Sequence, residues 1–172
     1  MGKTEKVLKG IAKLVTFKNG YPEGAFNSAV IVAAGNGVRA GGEIPKQFRE
    51  VGGIPVIART VNVFEQCKFI NEIVIVAREG DENIFAEYEQ KYGWKKLLRI
   101  VTGKATRQES VFEGFKAISD SSDYVYIHDG VRCLITPELI EKVGEQEFLN
   151  GCAIAAAKAS DSIKISVKGD II

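Results

Sequence analysis

Short apolar runs alternate with amphipathic stretches along most of this chain. Ala29 to Ala34, Asn71 to Ala77, Leu97 to Val101, Asp123 to His128 and Cys152 to Ala157 each read as strands. Ser162 to Val167 has the pattern of a sixth. Between them lie helical stretches. Pro55 to Gln66 places a proline at the first helical position, and Glu82 to Tyr92 is closed by Gly93. Thr106-Arg107-Gln108-Glu109 has the spacing of a capping box and predicts a helix to about Ser119. Pro137 to Phe148 predicts another.

Strands that alternate with helices and carry continuous β-branched runs imply an α/β fold. Its sheet is mainly parallel and covered by helices on both faces. Ligands of such sheets bind beyond the strand C-termini. Four polar or glycine-rich segments fall there: Gly35–Lys46, Gly103–Ser110, His128–Arg132 and the stretch around Asp161. The fold would bring them together.

Composition narrows the function classes. The 172 residues suit one domain, and 45% hydrophobic with 26% charged residues is ordinary for a globular protein. A net charge of +1 provides no global field for nucleic acid or membrane, so any attraction for phosphate is local. Three dispersed cysteines and one histidine argue against a zinc site and fit a reducing cytosol, which predicts a cytoplasmic protein. No apolar run approaches the length of a membrane span. Residues 1–27 stand apart as an N-terminal extension with five lysines against two acids. Val7, Leu8, Ile11, Leu14 and Val15 share one helical face there, and Asn19 to Gly24 reads as a turn or linker.

The chemistry concentrates after the first strand. Gly35-Asn36-Gly37 is followed by Arg39, Gly41-Gly42 and Pro45-Lys46. Glycines let the backbone approach an anion, and successive N–H groups form a concave anion site. Arg39 and Lys46 add two cations, so the loop suits a polyphosphate. GNGVRA also fits a permissive dinucleotide fingerprint, but Gly41-Gly42, Pro45 and Gly52-Gly53 interrupt the helix that motif needs. No Walker loop is present. A structural glycine turn without a ligand would leave both cations without an evident purpose.

The same residues carry a resemblance. A-A-G-x-G-x-R-x-G…P-K-Q-F resembles the opening signature of the 2-C-methyl-D-erythritol 4-phosphate cytidylyltransferases of the non-mevalonate isoprenoid pathway. Gly103…Arg107-x-x-Ser110-Val111 resembles that family's G-G-x-x-R-x-x-S-V, His128-Asp129-Gly130-Val131-Arg132 its H-D-A-A-R-P, and Asp161-Ser162-Ile163-Lys164 its D-T-I-K. The resemblance implies a Rossmann-like nucleotidyltransferase three-layer sandwich over 28–172. It also implies transfer of CMP from CTP to a sugar-alcohol phosphate, with release of pyrophosphate. Arg39 and Lys46 would be the catalytic cations. Ala33, Ala34, Gly35 and Gly37 would cradle the nucleotide through their backbone. Gly103, Arg107, Ser110, Asp129 and Gly130 would complete the nucleotide site, with Arg132 and Ser162 toward the acceptor. Magnesium would arrive with CTP near Asp129, and the family implies a homodimer in which Ser162 serves the neighbouring subunit.

Some positions depart from the motifs. Lys104 stands for the second glycine of G-G, Gly130 and Val131 for the two alanines, Cys133 for the proline, and Ser162 for the threonine. The family continues for some fifty residues beyond Ile172, so its last sheet elements and part of the acceptor site are expected to be missing. Three readings follow: a methylerythritol phosphate cytidylyltransferase, a ribitol 5-phosphate cytidylyltransferase, or a CTP-binding remnant without activity. Ala33-Ala34-Gly35, where the ribitol enzymes typically carry A-G-G, favours the first.

Overall fold

A computed structural model describes residues 17–18, 21–22, 24–35 and 44–158. Its centre is a parallel sheet of β3 (Asn27–Val32), β6 (Glu72–Ala77), β7 (Leu97–Thr102) and β8 (Tyr124–Asp129) in the order β7-β6-β3-β8. Two small antiparallel pairs accompany it: β1 (Phe17–Lys18) with β2 (Tyr21–Pro22), and β4 (Glu50–Val51) with β5 (Ile54–Pro55). The helices are α1 (Val56–Gln66), α2 (Glu82–Tyr92), α3 (Arg107–Ala117) and α4 (Pro137–Asn150).

Strand alternation sorts the helices into two layers. Ala29 and Ile31 of β3 and Ile73, Ile75 and Ala77 of β6 share a core with Ile57, Val61 and Phe64 of α1, Phe85 of α2 and Ile140 of α4. The intervening residues face α3. A Cβ at Gly114 of α3 would overlap Val30 Cγ1 and come within 2.8 Å of Val76 Cγ2, so the missing side chain lets the helix sit against the strands. Helices on both faces make the three-layer α/β arrangement. β3 and β6 are central and almost wholly buried, which is why their sequences read as unbroken apolar runs.

Most elements fall within a residue or two of their predicted bounds. Pro55 is extended, at φ −54° and ψ 141°, and caps α1 rather than opening it. Gly93 closes α2 in the left-handed region at φ 67°, and the Thr106–Glu109 capping box opens α3 as its spacing predicts. Two expectations fail. Cys152 to Ala157 forms no strand: residues 152–158 are unpaired in any sheet and mostly exposed, Ile154 at 88%. Apolar composition supplies a tendency to bury, but a strand also needs a neighbour. Among the described residues the outer edge of β8 pairs with nothing. Tyr21-Pro22, expected within a turn, pairs instead with Phe17-Lys18. The predicted sixth strand, Ser162 to Val167, and the amphipathic face from Val7 to Val15 lie outside the described residues.

Candidate nucleotide site

The parallel register aligns the strand ends. Val32 sits opposite both Val76 and Asp129, and Ala77 opposite Thr102. The ladder continues one residue past three of the strands. Ala33 N–H donates to Val76 O, Gly103 N–H to Ala77 O and Gly130 N–H to Val32 O, each at 2.8 Å. Loops from all four strands therefore leave one edge together. They enclose a cavity of about 490 Å³ whose walls include Ala33, Ala34, Gly35, Lys46, Gly103, Arg107, Ser110 and Asp129.

Close backbone approach shapes the floor. A Cβ at Gly103 would overlap the Ala34 methyl and press on Ser110 Oγ at 3.0 Å, so glycine there lets two loops meet. Ser110 Oγ accepts from the Lys104 N–H at 2.9 Å and faces its carbonyl at 3.3 Å, tying the β7–α3 loop to the helix. On the other side the buried Gln47 amide donates to the Ala33 carbonyl at 3.3 Å, which anchors the 3-10 turn Lys46–Phe48 against the end of β3. Thr60 Oγ1 of α1 donates to the Gly130 carbonyl at 2.8 Å. The N–H of Ala33 is committed to the ladder, whereas no described group accepts from the N–H groups of Ala34 and Gly35.

Charge is arranged around Asp129. Arg107, the first residue of α3, donates to Asp129 Oδ1 from Nε at 2.9 Å, with its Nη2 at 2.8 Å from the same oxygen. Arg132 Nε donates to Oδ2 at 2.9 Å. Partial burial by itself would push the Asp129 carboxyl up; the hydrogen bonds and charges of Arg107 and then Arg132 outweigh it and hold the group below the usual carboxylate range. Next to it, burial pushes the His128 imidazole down, against the pull of Asp129 and with a lesser push from Arg132. His128 lies 5.1 Å from the Phe64 ring and its Nδ1 is buried without a partner. It is a packed, neutral strand-end residue, as its position in the sequence suggests.

Eight of the sequence-predicted residues thus line one cavity. Gly130 and Arg132 lie behind that wall: Gly130 is packed among Ile57, Val32 and Ala33, and Arg132 braces Asp129 from the outside. Gly37, Arg39 and Ser162 lie outside the described residues. Arg78, Glu79, Lys104 and Gln47 also line the cavity without having been assigned to it from the sequence. Arg78 and Glu79 directly follow β6, so the strand-end rule marks them once β6 is recognised as central. Arg78 is tied to Asp81 at 2.8 Å.

A cavity at the carboxyl edge of a parallel sheet, walled by glycine-rich backbone, a helix N-terminus and several cations, is the arrangement of an α/β protein whose site suits a phosphate ester. Comparison with known proteins makes the class specific. The family model for 2-C-methyl-D-erythritol 4-phosphate cytidylyltransferase matches residues 28–172, and the chain belongs to this family. A relative of that name from Alkaliphilus oremlandii is 41% identical over 140 residues, covering 81% of this chain and 59% of the relative. Another, from Halalkalibacterium halodurans, is 40% identical over 145 residues, covering 84% and 63%. The crystal structure of 4-diphosphocytidyl-2C-methyl-D-erythritol synthase from Anaerococcus prevotii superimposes with a TM-score of 0.69 at 37% identity, over 83% of this chain and 60% of that one. The chain spans about three fifths of the length of these relatives. No helix among the described residues is long and apolar enough to cross a membrane.

Proposed function

We propose that this chain carries the nucleotide half of a cytidylyltransferase site, which takes CTP and passes CMP to 2-C-methyl-D-erythritol 4-phosphate. The observation that supports it most directly is the convergence of Lys46, Arg107, Ser110 and Asp129 on one cavity whose glycine-rich walls match the family's motifs. In this reading a phosphate oxygen of the acceptor attacks the α-phosphorus of CTP. A new P–O bond forms, the bond from that phosphorus to the bridging oxygen breaks, and the oxygen leaves with pyrophosphate. The transition state is rich in phosphoryl charge and needs positioning and fixed cations more than proton transfer. Lys46 supplies an ammonium to the α-phosphate, with Arg39 proposed as its companion. The N–H groups of Ala34 and Gly35 receive phosphate oxygens, and the β7–α3 loop with Ser110 holds the base and ribose.

Magnesium suits this cavity as a passenger of the nucleotide. The described residues contain no cluster of three metal-ligating side chains, and Asp129 and Glu79 are the carboxylates on the cavity wall. Magnesium commonly takes one or two carboxylates plus substrate phosphates. Asp129 would contribute a ligand through Oδ2, which keeps a lone pair beyond Arg132 Nε, and the ion would neutralise triphosphate charge. We further take the protein to act in the cytoplasm as a homodimer, with Ser162 reaching the neighbouring subunit's acceptor site.

Calorimetric titration with CTP and magnesium, followed by pyrophosphate release on adding the acceptor, tests the reading. Saturable CTP binding that Lys46→Ala weakens, followed by release with methylerythritol phosphate, is the expected result. Release with ribitol 5-phosphate alone would reassign the acceptor, and absence of CTP binding would remove the assignment.

A further inference from the structure

The 3-10 turn that carries Lys46 is fastened at two points, which differ in kind. Phe48 packs into an aromatic cluster on α2, with its ring centroid 5.7 Å from Phe85 and 6.3 Å from Tyr88. Gln47 is 1% exposed, and its side chain makes one hydrogen bond among the described residues, from Nε2 to the Ala33 carbonyl at 3.3 Å. Burying an amide costs stability, and an apolar side chain of that size would pack without the cost. Packing alone therefore does not account for a glutamine here.

The position of the bond does account for it. The Ala33 carbonyl belongs to the same peptide group as the Ala34 N–H. A trans peptide is planar, so its C=O and N–H point in opposite directions. By holding the carbonyl, Gln47 sets the direction of the Ala34 N–H, from which no described group accepts. The Ala33 N–H is already engaged with Val76 O at 2.8 Å, so the peptide group leaves the sheet from a fixed start. Gln47 also adjoins Lys46 in the turn, and the same bond fixes where the base of the lysine stands relative to that N–H. Ala33, Ala34, Lys46 and Gln47 all line the cavity.

We propose that Gln47 is a positioning residue of the phosphate site, tying the Lys46 turn to the Ala33–Ala34 peptide so that ammonium and N–H act on one phosphate group. The proposal rests on the reading of the cavity as a nucleotide site and deepens it. A phosphate oxygen on the Ala34 N–H polarises the peptide and makes the Ala33 carbonyl a better acceptor. Ligand and glutamine then strengthen each other's bonds.

The test compares the full chain with Gln47→Met, which keeps the side-chain length without the donor, alone and combined with Lys46→Ala. The probes are CTP with magnesium, and cytidine. Gln47→Met should weaken CTP binding roughly tenfold, leave cytidine binding unchanged, and add little once Lys46 is replaced. Unchanged CTP affinity overturns the proposal. Losses that simply add in the double variant do so too, as do equal losses for CTP and cytidine, which mark a distorted turn. Gln47→Glu is a second variant of the same size. Burial favours its neutral carboxyl, which donates as the amide does, whereas the ionised form cannot. Its CTP affinity relative to the native chain should fall as pH rises, and a ratio independent of pH overturns the proposal. A third measurement needs no variant. The Gln47 side-chain amide protons, followed by NMR in the native chain, should exchange more slowly with CTP and magnesium than with cytidine; equal rates overturn the proposal as well. If CTP binds, Lys46→Ala weakens it and Gln47→Met does not, the inference about Gln47 fails alone. If the native chain binds no CTP, the nucleotide reading fails with it.

Discussion

Arg107 and Asp129 are 22 residues apart, yet Nε and Nη2 of the guanidinium meet the same carboxylate oxygen at 2.9 and 2.8 Å. The contact joins the first turn of α3 to the end of β8 across the cavity wall. The pair is open to solvent, with side-chain exposures of 60% and 26%. Solvent-exposed pairs contribute about 0–1 kcal/mol. Arg107→Ala should therefore lower the melting temperature by no more than about 2–4 °C while weakening CTP binding about tenfold or more. Thermal unfolding beside calorimetry checks both halves. A large loss of stability with intact binding would make the pair a fold element instead.

His128 predicts the pH response. Its folded pKa lies below the ordinary value, so the native state resists the proton that the unfolded chain accepts. Stability from this group is fully present above about pH 6.5 and is lost as pH falls from there through the depressed folded value. Asp129 is also depressed, and its contribution is lost only at lower pH, below the ordinary carboxylate range near 4. Between pH 8 and 5, His128→Phe should flatten the dependence of unfolding midpoint on pH. Urea unfolding followed by fluorescence of Trp94, the single and buried tryptophan, reports it. An unchanged slope would mean that other groups set it.

Gly114→Ala sets helix propensity against packing. In an open helix the change gains about 1 kcal/mol. Here the methyl would overlap Val30 and approach Val76, and overpacking of this kind costs about 1–3 kcal/mol. The expected net effect is destabilisation, read as a lower urea midpoint. A stabilised variant would show that α3 can lift off the sheet at little cost.

Thr60→Val removes the hydroxyl that holds the Gly130 carbonyl from inside the core. The loss should be about 1–3 kcal/mol, because a buried carbonyl is left without its donor. Thr60→Ser keeps the donor and should recover most of that loss. Equal effects of the two variants would assign the cost to packing rather than to the hydrogen bond.

Features written locally were legible in the sequence. The Thr106–Glu109 box and the Gly93 terminus depend on residues within one turn, and the structure contains both. The apolar runs of β3 and β6 announced a buried parallel sheet, and the strand-end rule then gathered Gly35, Gly103 and Asp129 at one edge. Pairings that depend on strand order were not legible. Nothing in the sequence says that Arg107 is committed to Asp129 and Arg78 to Asp81. Cys152 to Ala157 fails for the complementary reason: its composition asks for burial, but hydrogen-bonded neighbours are a property of the assembled sheet.

The three N–H groups that extend the ladder, from Ala33, Gly103 and Gly130, have a consequence for how damage to this protein will present itself. Hydrogen bonding in the cavity floor is completed when the sheet forms, so a ligand finds that surface already ordered and spends little conformational entropy there. Defects in the floor will therefore register as loss of folded protein, and defects in the walls as loss of affinity in protein that still folds. A mutational scan scored for abundance and for nucleotide retention would divide the residues of one cavity into two separate populations.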